Sequence, residues 1–381
     1  MALPYVLPAG DRDAFLSCRR AWDLSARERG NLEPRRPAAR TGTDALLAAL
    51  AVYYFPGMWD WQPQLVLRLV RTAFLDALPE RHGWDDGLAL LEAYFHWAPD
   101  IDDMAPVTVT TELDVRVPDP AEPDRDIAAP GLRGVHYRDR PHLVAIDAAN
   151  RYWLVEHRFV RGPWRSVELL RLEERCLSWC WAFEQAYPGV RVEGTVFNEL
   201  RTDAEPPVVA PAQPARRGGL PQSGHGYVRP WSAGPESGEP ASLAEPGAPG
   251  AARGSAGPGG PEGPRGPEPE VVEGALFRRV RLPRARAELA SFGARLAAQV
   301  TALVSPEVVC YPTPAPGRCA RCAFRAPCLA MNAGADTAAL LAADYRPRNH
   351  DPVPGQLGGG TWSTGRGAAP PTFGRPPNSP T

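Results

Sequence analysis

The chain has 381 residues, is 44% hydrophobic and carries a formal net charge of −2. It has apolar material for a sizeable core and no global electrostatic pull toward nucleic acid, so any such surface must be local. The 45 prolines and 36 glycines are too many for one compact domain of this length, which places much of the excess outside the core. No apolar run approaches bilayer length, and the opening MALPYVLPAGDRDAF lacks a basic segment followed by an apolar one. Those two features exclude a spanning helix, and a cytoplasmic protein without a membrane partner is expected.

In chain order, DRDAFLSCRRAWDL places Phe15, Cys18 and Trp22 at three- and four-residue spacing, which predicts a short helix whose buried stripe includes Cys18. Helical periodicity recurs at Thr43–Tyr54, Pro63–Leu78 and Asp85–His96, separated by Pro, Gly and Trp breaks, and makes 43–100 an all-helical subregion. From Val107 the period changes to two. VTVTTELDVRVPD reads as one strand, and PHLVAIDAANRYWLVEHRFV as two strands joined at Ala148–Ala149–Asn150. A long helix over Ser166–Tyr187 and a strand from Val190 complete a sheet core at about 107–201.

Residues 202–270 are rich in Pro and Gly with too few regularly spaced apolar positions to offset the entropy of ordering, so a disordered insert is expected. Beyond it, ALFRRVRLP reads as a strand and ARAELASFGARLAAQVTALV as a helix ahead of a cysteine cluster, and 346–381 has the character of the insert. Two blocks, 1–201 and 271–345, should therefore fold as one α/β unit, a central mixed sheet flanked by helices.

The seven cysteines, an odd number in a chain without an export signal, point to reduced thiols and metal ligation rather than a disulfide framework. Cys319, Cys322 and Cys328 form C-x2-C-x5-C, and Cys18 stands roughly three hundred positions earlier. C-x2-C serves zinc and iron–sulfur sites alike, because two intervening residues let both thiolates face one centre. A quartet split this way requires the fold to bring its two ends together. Cys176 and Cys180, among Leu177, Trp179 and Trp181 on a helix, read as core packing, and Cys310 as incidental.

Taken together, FLSCRRAWDL, the E-x-[basic] of Glu156 and Arg158, the helix EERCLSWCWA, and C-x2-C-x-F-R-x-P-C resemble the PD-(D/E)XK nucleases of the RecB type, AddB-like domains included, that carry an iron–sulfur cluster. The resemblance spans nearly the whole ordered core in the right order. It implies a restriction-endonuclease-like fold, a [4Fe–4S] cluster held by Cys18, Cys319, Cys322 and Cys328, with Zn2+ as the alternative occupant, and a place in DNA processing such as repair, beside a helicase or another DNA-processing protein.

It also implies a nuclease centre, from which this chain departs. Where the family has a helix histidine, Leu46 stands; where it has a strand aspartate, His142 follows Arg140-Pro141. Glu156 keeps the second carboxylate. Arg158 replaces the lysine, and Arg175 and Trp179 replace the helix glutamine and tyrosine. A planar guanidinium that stays protonated cannot take the compact, water-orienting place of an ammonium group, and all 42 basic residues of this chain are arginine. One carboxylate with one imidazole is a poor site for a hard cation. The centre is therefore read as degenerate, and Mg2+ or Mn2+ enters only if Glu156 recruits His142, Glu112, Asp114 or Asp147 in an active DNA exonuclease with rearranged ligands. Binding is the function left: Arg140, Arg158, Arg161, Arg165, Arg171 and Arg175 gather near the old cleft for DNA, single-stranded DNA included. A second basic stripe runs through Arg278, Arg279, Arg281, Arg284 and Arg286; Trp153, Trp164, Trp179 and Trp181 could supply stacking, but aromatics at helical or strand spacing are more often core, and Trp179 and Trp181 are read as core. A zinc-stapled protein-interaction module is the reading without nucleic acid.

Overall fold

The computed structural model describes residues 4–36, 41–78, 84–122, 124–128, 134–203 and 268–348. The chain opens with β1 (Tyr5–Pro8), α1 (Ala9–Ser17), α2 (Arg19–Ser25) and β2 (Leu32–Pro34). The helix expected through Cys18 is interrupted there: the residue is extended, with φ −161° and ψ 105°, and serves as C-cap of α1 and N-cap of α2. Phe15 and Trp22 still pack edge to face at 5.0 Å, so the apolar stripe survives the break while the thiol does not belong to it.

The helical subregion follows as α3 (Gly42–Tyr53), α4 (Pro63–Ala77) and α5 (Trp84–Ile101). Thr41 and Asp44 form a reciprocal capping box at the start of α3, and Pro63 opens α4, where its missing N–H costs nothing. Val66, Val70 and Phe74, spaced by four, form the buried stripe of α4.

The segment predicted as one strand from Val107 is two, β3 (Met104–Val109) and β4 (Leu113–Arg116), in different sheets. Thr110, at φ 48°, makes the turn between them. Next come β5 (Val135–Asp139), β6 (Leu143–Asp147) and β7 (Tyr152–Val160), then α6 (Val167–Arg171), α7 (Glu174–Ala186) and β8 (Val192–Arg201). The β6–β7 turn falls at the expected place, with Asn150 at φ 59°. The expected 166–187 helix is broken because Arg284 donates to the carbonyls of Arg171 at 2.7 Å and Leu170 at 3.2 Å, ending α6.

Most of the segment expected to be a disordered insert, 204–267, lies outside the described residues. Its last positions are ordered: β9 (Glu270–Glu273) pairs with β10 (Phe277–Pro283), ahead of α8 (Arg286–Val304), α9 (Pro316–Ala320), α10 (Arg325–Asn332), α11 (Ala338–Asp344) and β11 (Tyr345–Pro347). Likewise the segment read as a tail begins ordered, since β11 pairs with β2, while 349–381 lies outside the described residues.

The main sheet is mixed, with strand order β3-β6-β7-β8-β10-β9, and β7 and β8 are its parallel pair. Its alternation feeds two cores. Leu143, Ala145, Trp153 and Val155 face the α3–α5 subregion, whereas Val144, Leu154 and Phe197 face α7, α8 and the small β1-β5-β4 sheet. Helices therefore cover both faces of a mixed α/β sheet. β8 is almost continuously buried, as a central strand with two covered faces must be.

Candidate functional site

The two chain ends meet at the cysteines. The Cys18 sulfur accepts the Thr313 N–H at 3.5 Å, and the Cys319 sulfur accepts the Ala315 N–H at 3.4 Å. The Arg20 N–H donates to the Tyr311 carbonyl at 3.1 Å, and its guanidinium reaches the Cys328 sulfur at 3.7 Å and the Cys328 carbonyl at 3.3 Å. Cys322 packs against a small apolar cluster of Leu24, Phe324 and Tyr345, whose last two rings stack at 5.3 Å. All four sulfurs are free and half-buried.

By donor type these sulfurs suit an iron–sulfur or zinc centre. Backbone N–H groups already point at two of them, as hydrogen bonds to ligating sulfurs commonly do. Burial pushes the Cys18 thiol up, but the N–H groups of Thr313, Ala21 and Arg20 and the Arg318 charge outweigh it, so the thiol ionises more readily than usual. Among the described residues, no three His, Cys, Asp or Glu side chains stand close enough together to enclose a single ion.

Glu156, Arg158, Arg175, His142 and Trp179, the positions that the resemblance sets at a nuclease centre, come together around the start of α7. Glu156, on β7, is buried and accepts the Cys176 thiol hydrogen at 3.1 Å. Arg158 lies 3.6 Å from Glu156 and donates to Glu173 at 2.5 Å, bridging two carboxylates. Arg175 lies over the Trp179 ring at 5.2 Å, and that indole packs edge to face on His142, also at 5.2 Å. Burial raises the Glu156 carboxyl above its ordinary range, with Arg158, Cys176 and Arg175 opposing.

His142 has no lone pair to spare for a metal at Nδ1, because that atom accepts the His157 backbone N–H at 3.1 Å. The other ring nitrogen then carries the proton, so the neutral imidazole is a donor at Nε2. Nor do the alternative carboxylates reach Glu156. Glu112 pairs with Arg138 and Arg140, Asp114 with Arg138 and His136, and Asp147 is held in its own turn by the Ala149 and Arg151 N–H groups and Trp153. Leu46 is buried in the helical core. The donor set thus does not fit a hard divalent cation: one carboxylate is already answered by a guanidinium and a thiol.

Beside His142 lies a network that the amino-acid sequence did not signal as a whole. Arg279 pairs with Asp102, and its Nη2 donates to Tyr54 (3.0 Å), Tyr94 (3.1 Å) and Asn198 Oδ1 (3.2 Å). Because Asn198 Oδ1 is taken, its Nδ2 donates to His157 Nδ1 at 2.9 Å. His157 stacks between Tyr54 and His142, at 5.2 and 5.9 Å. A continuous column therefore runs from Tyr54 of the helical subregion through His157 to His142. The only available sequence signal was a run of arginines and histidines on strands whose neighbours are apolar.

Both histidines are held neutral. Burial, with the Arg175 charge beside it, pushes His142 down to about 4, and burial, His142 and Arg279 push His157 well below its usual value. For such depressed groups the stabilisation is complete above pH ~6.5 and is lost as pH falls toward the folded-state value. His142 alone accounts for about 3 kcal/mol at most, offset in part by Glu156, which gains a proton more easily in the folded state. The wild-type melting temperature is expected to fall between pH 6.5 and 4. His142→Asn, whose amide oxygen accepts the same N–H, should fall less over that range, and identical profiles would contradict this assignment.

Two groups of expected contacts are corrected. The Arg278–Arg286 stripe is not a phosphate surface. Arg278, Arg279 and Arg284 are buried, and Arg278, Arg281 and Arg286 pair with Glu199, Asp103 and Glu184. Nor are Trp153 and Trp164 stacking platforms: Trp153 is buried, and Trp164 lies under the guanidiniums of Arg201 (4.1 Å) and Arg278 (5.3 Å), while Trp179 and Trp181 are core, as expected. Around the cleft, Arg158 is locked, whereas Arg140, Arg161, Arg165 and Arg175 are exposed and Arg171 is half-exposed. Among the described residues, Arg161, Arg171 and Arg175 make no ion pair.

No protein-family model matches the chain, and no curated protein matches it. No helix among the described residues is long and apolar enough to cross a membrane.

Proposed function

We propose that this chain is a RecB-type nuclease-fold protein with a degenerate centre, closed by a [4Fe–4S] cluster on Cys18, Cys319, Cys322 and Cys328, that binds DNA without cutting it. The observation that carries the reading is Arg158: a permanent guanidinium bridges Glu156 and Glu173 where the resemblance calls for a water-orienting ammonium beside a divalent cation. The order β6, β7, α7, then β8 parallel to β7, with Glu156 on β7, supports the fold assignment. When bound, the cluster would tie one end of the chain to the other, with zinc able to supply the same staple.

The exposed guanidiniums of Arg161, Arg165 and Arg175, with half-exposed Arg171, would meet phosphates, while His142 and Arg158 stay committed inside. Such contacts release counterions. If about four phosphates are engaged, affinity for DNA should drop about 50-fold (single strand) to about 150-fold (duplex) between 50 and 200 mM salt, and Arg175→Ala should reduce the log–log slope by about one. Salt-independent or absent binding by a zinc-loaded, colourless protein would instead support a protein-interaction module.

Incubation of single- and double-stranded DNA with Mn2+ is expected to give no more product from the wild type than from Glu156→Ala. Cleavage that disappears in Glu156→Ala would overturn the non-cutting reading and establish an active exonuclease. A role beside a helicase or another DNA-processing protein belongs to the same proposal.

A further inference from the structure

Arg20 sits two residues after Cys18 and spends its side chain on the opposite end of the chain. Besides the Cys328 sulfur and carbonyl, its Nη1 donates to Asn332 Oδ1 at 2.5 Å, while its own N–H holds the Tyr311 carbonyl. One residue thus fastens the start of α2 to the segment before the cysteine cluster and to α10. Among the described residues Arg20 is the arginine whose guanidinium reaches a sulfur of the quartet. Arg29 is paired with Asp23, and Arg318 turns back to the Thr313 carbonyl. For Arg20 no carboxylate partner occurs among the described residues, so its charge is not cancelled locally.

We infer that Arg20 is the positioning residue of the sulfur clasp, holding Cys328 in place and supplying the positive charge that favours the reduced form of the bound cluster. The inference rests on the cluster reading above. A cation within hydrogen-bonding reach of a ligating sulfur favours added negative charge, and hydrogen bonds to the sulfurs and net charge are what set cluster potentials. The Asn332 tether keeps the guanidinium from swinging into solvent, and the Cys328 carbonyl contact fixes the backbone from which the sulfur hangs.

The test is a dithionite titration of the anaerobically purified wild type, Arg20→Gln and Arg20→Lys, followed through the visible absorption, together with iron release to a chelator. Arg20→Gln should make one-electron reduction at least tenfold less favourable, a shift of about 59 mV to lower potential, and should lose iron several-fold faster. Arg20→Lys should recover most of the potential, which a purely structural role would not require. Asn332→Ala serves where Arg20→Gln does not fold, and it should release iron faster with a smaller shift in potential. A loaded cluster with the same potential in Arg20→Gln and wild type, or in Asn332→Ala and wild type, would overturn the role of Arg20 alone. A wild type without iron and sulfide would remove the cluster reading and this inference with it.

Discussion

Cys18→Ser is expected to lose most of its iron and to drop several-fold in soluble yield, as severely as Cys322→Ser, although the two positions lie at opposite ends of the chain. A metal centre assembled only in the folded state contributes its binding free energy to folding, so the loss of any one ligand is felt by the whole unit. Here the effect should be large because little else holds this corner. The local apolar cluster has only Leu24, Phe324 and Tyr345 as fully buried members, and much of 305–348 is half-buried or exposed. Cys310→Ser is the control: although it precedes Tyr311, its half-buried thiol contacts Arg29 rather than any partner of the quartet, and its removal should leave iron content unchanged. Parallel purification with iron, sulfide and soluble-yield measurements decides the point. A stable, fully loaded Cys18→Ser protein would contradict a shared site.

The second large effect lies in the network beside His142. Asp102→Ala should destabilise the protein by about 3–5 kcal/mol, because it leaves the Arg279 guanidinium buried without its counter-charge. For a folded unit of this size that corresponds to a loss of roughly 10 °C in melting temperature. The pair joins the end of α5 to β10, so the helical subregion should detach from the sheet first, seen as earlier exchange of the α3–α5 amides. Replacing both partners, Asp102→Leu with Arg279→Met, should recover part of the loss, since neither charge is then left alone. Recovery should be incomplete, as Tyr54, Tyr94 and Asn198 each accept from Arg279. A shift within about 0.5 kcal/mol for Asp102→Ala, the range of an ordinary surface change, would contradict this role.

The helical subregion and the β6–β7 hairpin were legible because their apolar periods are long and uninterrupted, as in the Val66, Val70, Phe74 stripe. The break at Cys18 was not, since Phe15 and Trp22 keep helical spacing across it and the interruption comes from contacts with 311–313. Tertiary pairing likewise decided β1 and β5, short strands that pair in parallel across more than a hundred residues of sequence. It also split 166–187, where Arg284 arrives from the other side of the insert. Charges misled most. An arginine on a strand reads as surface, yet Arg278 and Arg279 are buried against Glu199 and Asp102, which stand far away in sequence.

The residues that the resemblance sets at a nuclease centre gather around Glu156, and what they build is a self-satisfied charge cluster. Arg158, Glu156, Glu173 and the Cys176 thiol answer one another. Glu173 and Cys176 carried no sequence signal for that role, because a helix-start acid and a buried cysteine have commoner explanations.

Anaerobic purification followed by a visible spectrum with iron and sulfide determination tests the sulfur clasp most directly. A brown protein holding about four irons and four sulfides per chain is the expected result. A colourless protein that is folded and soluble with zinc, or with no metal at all, would contradict it.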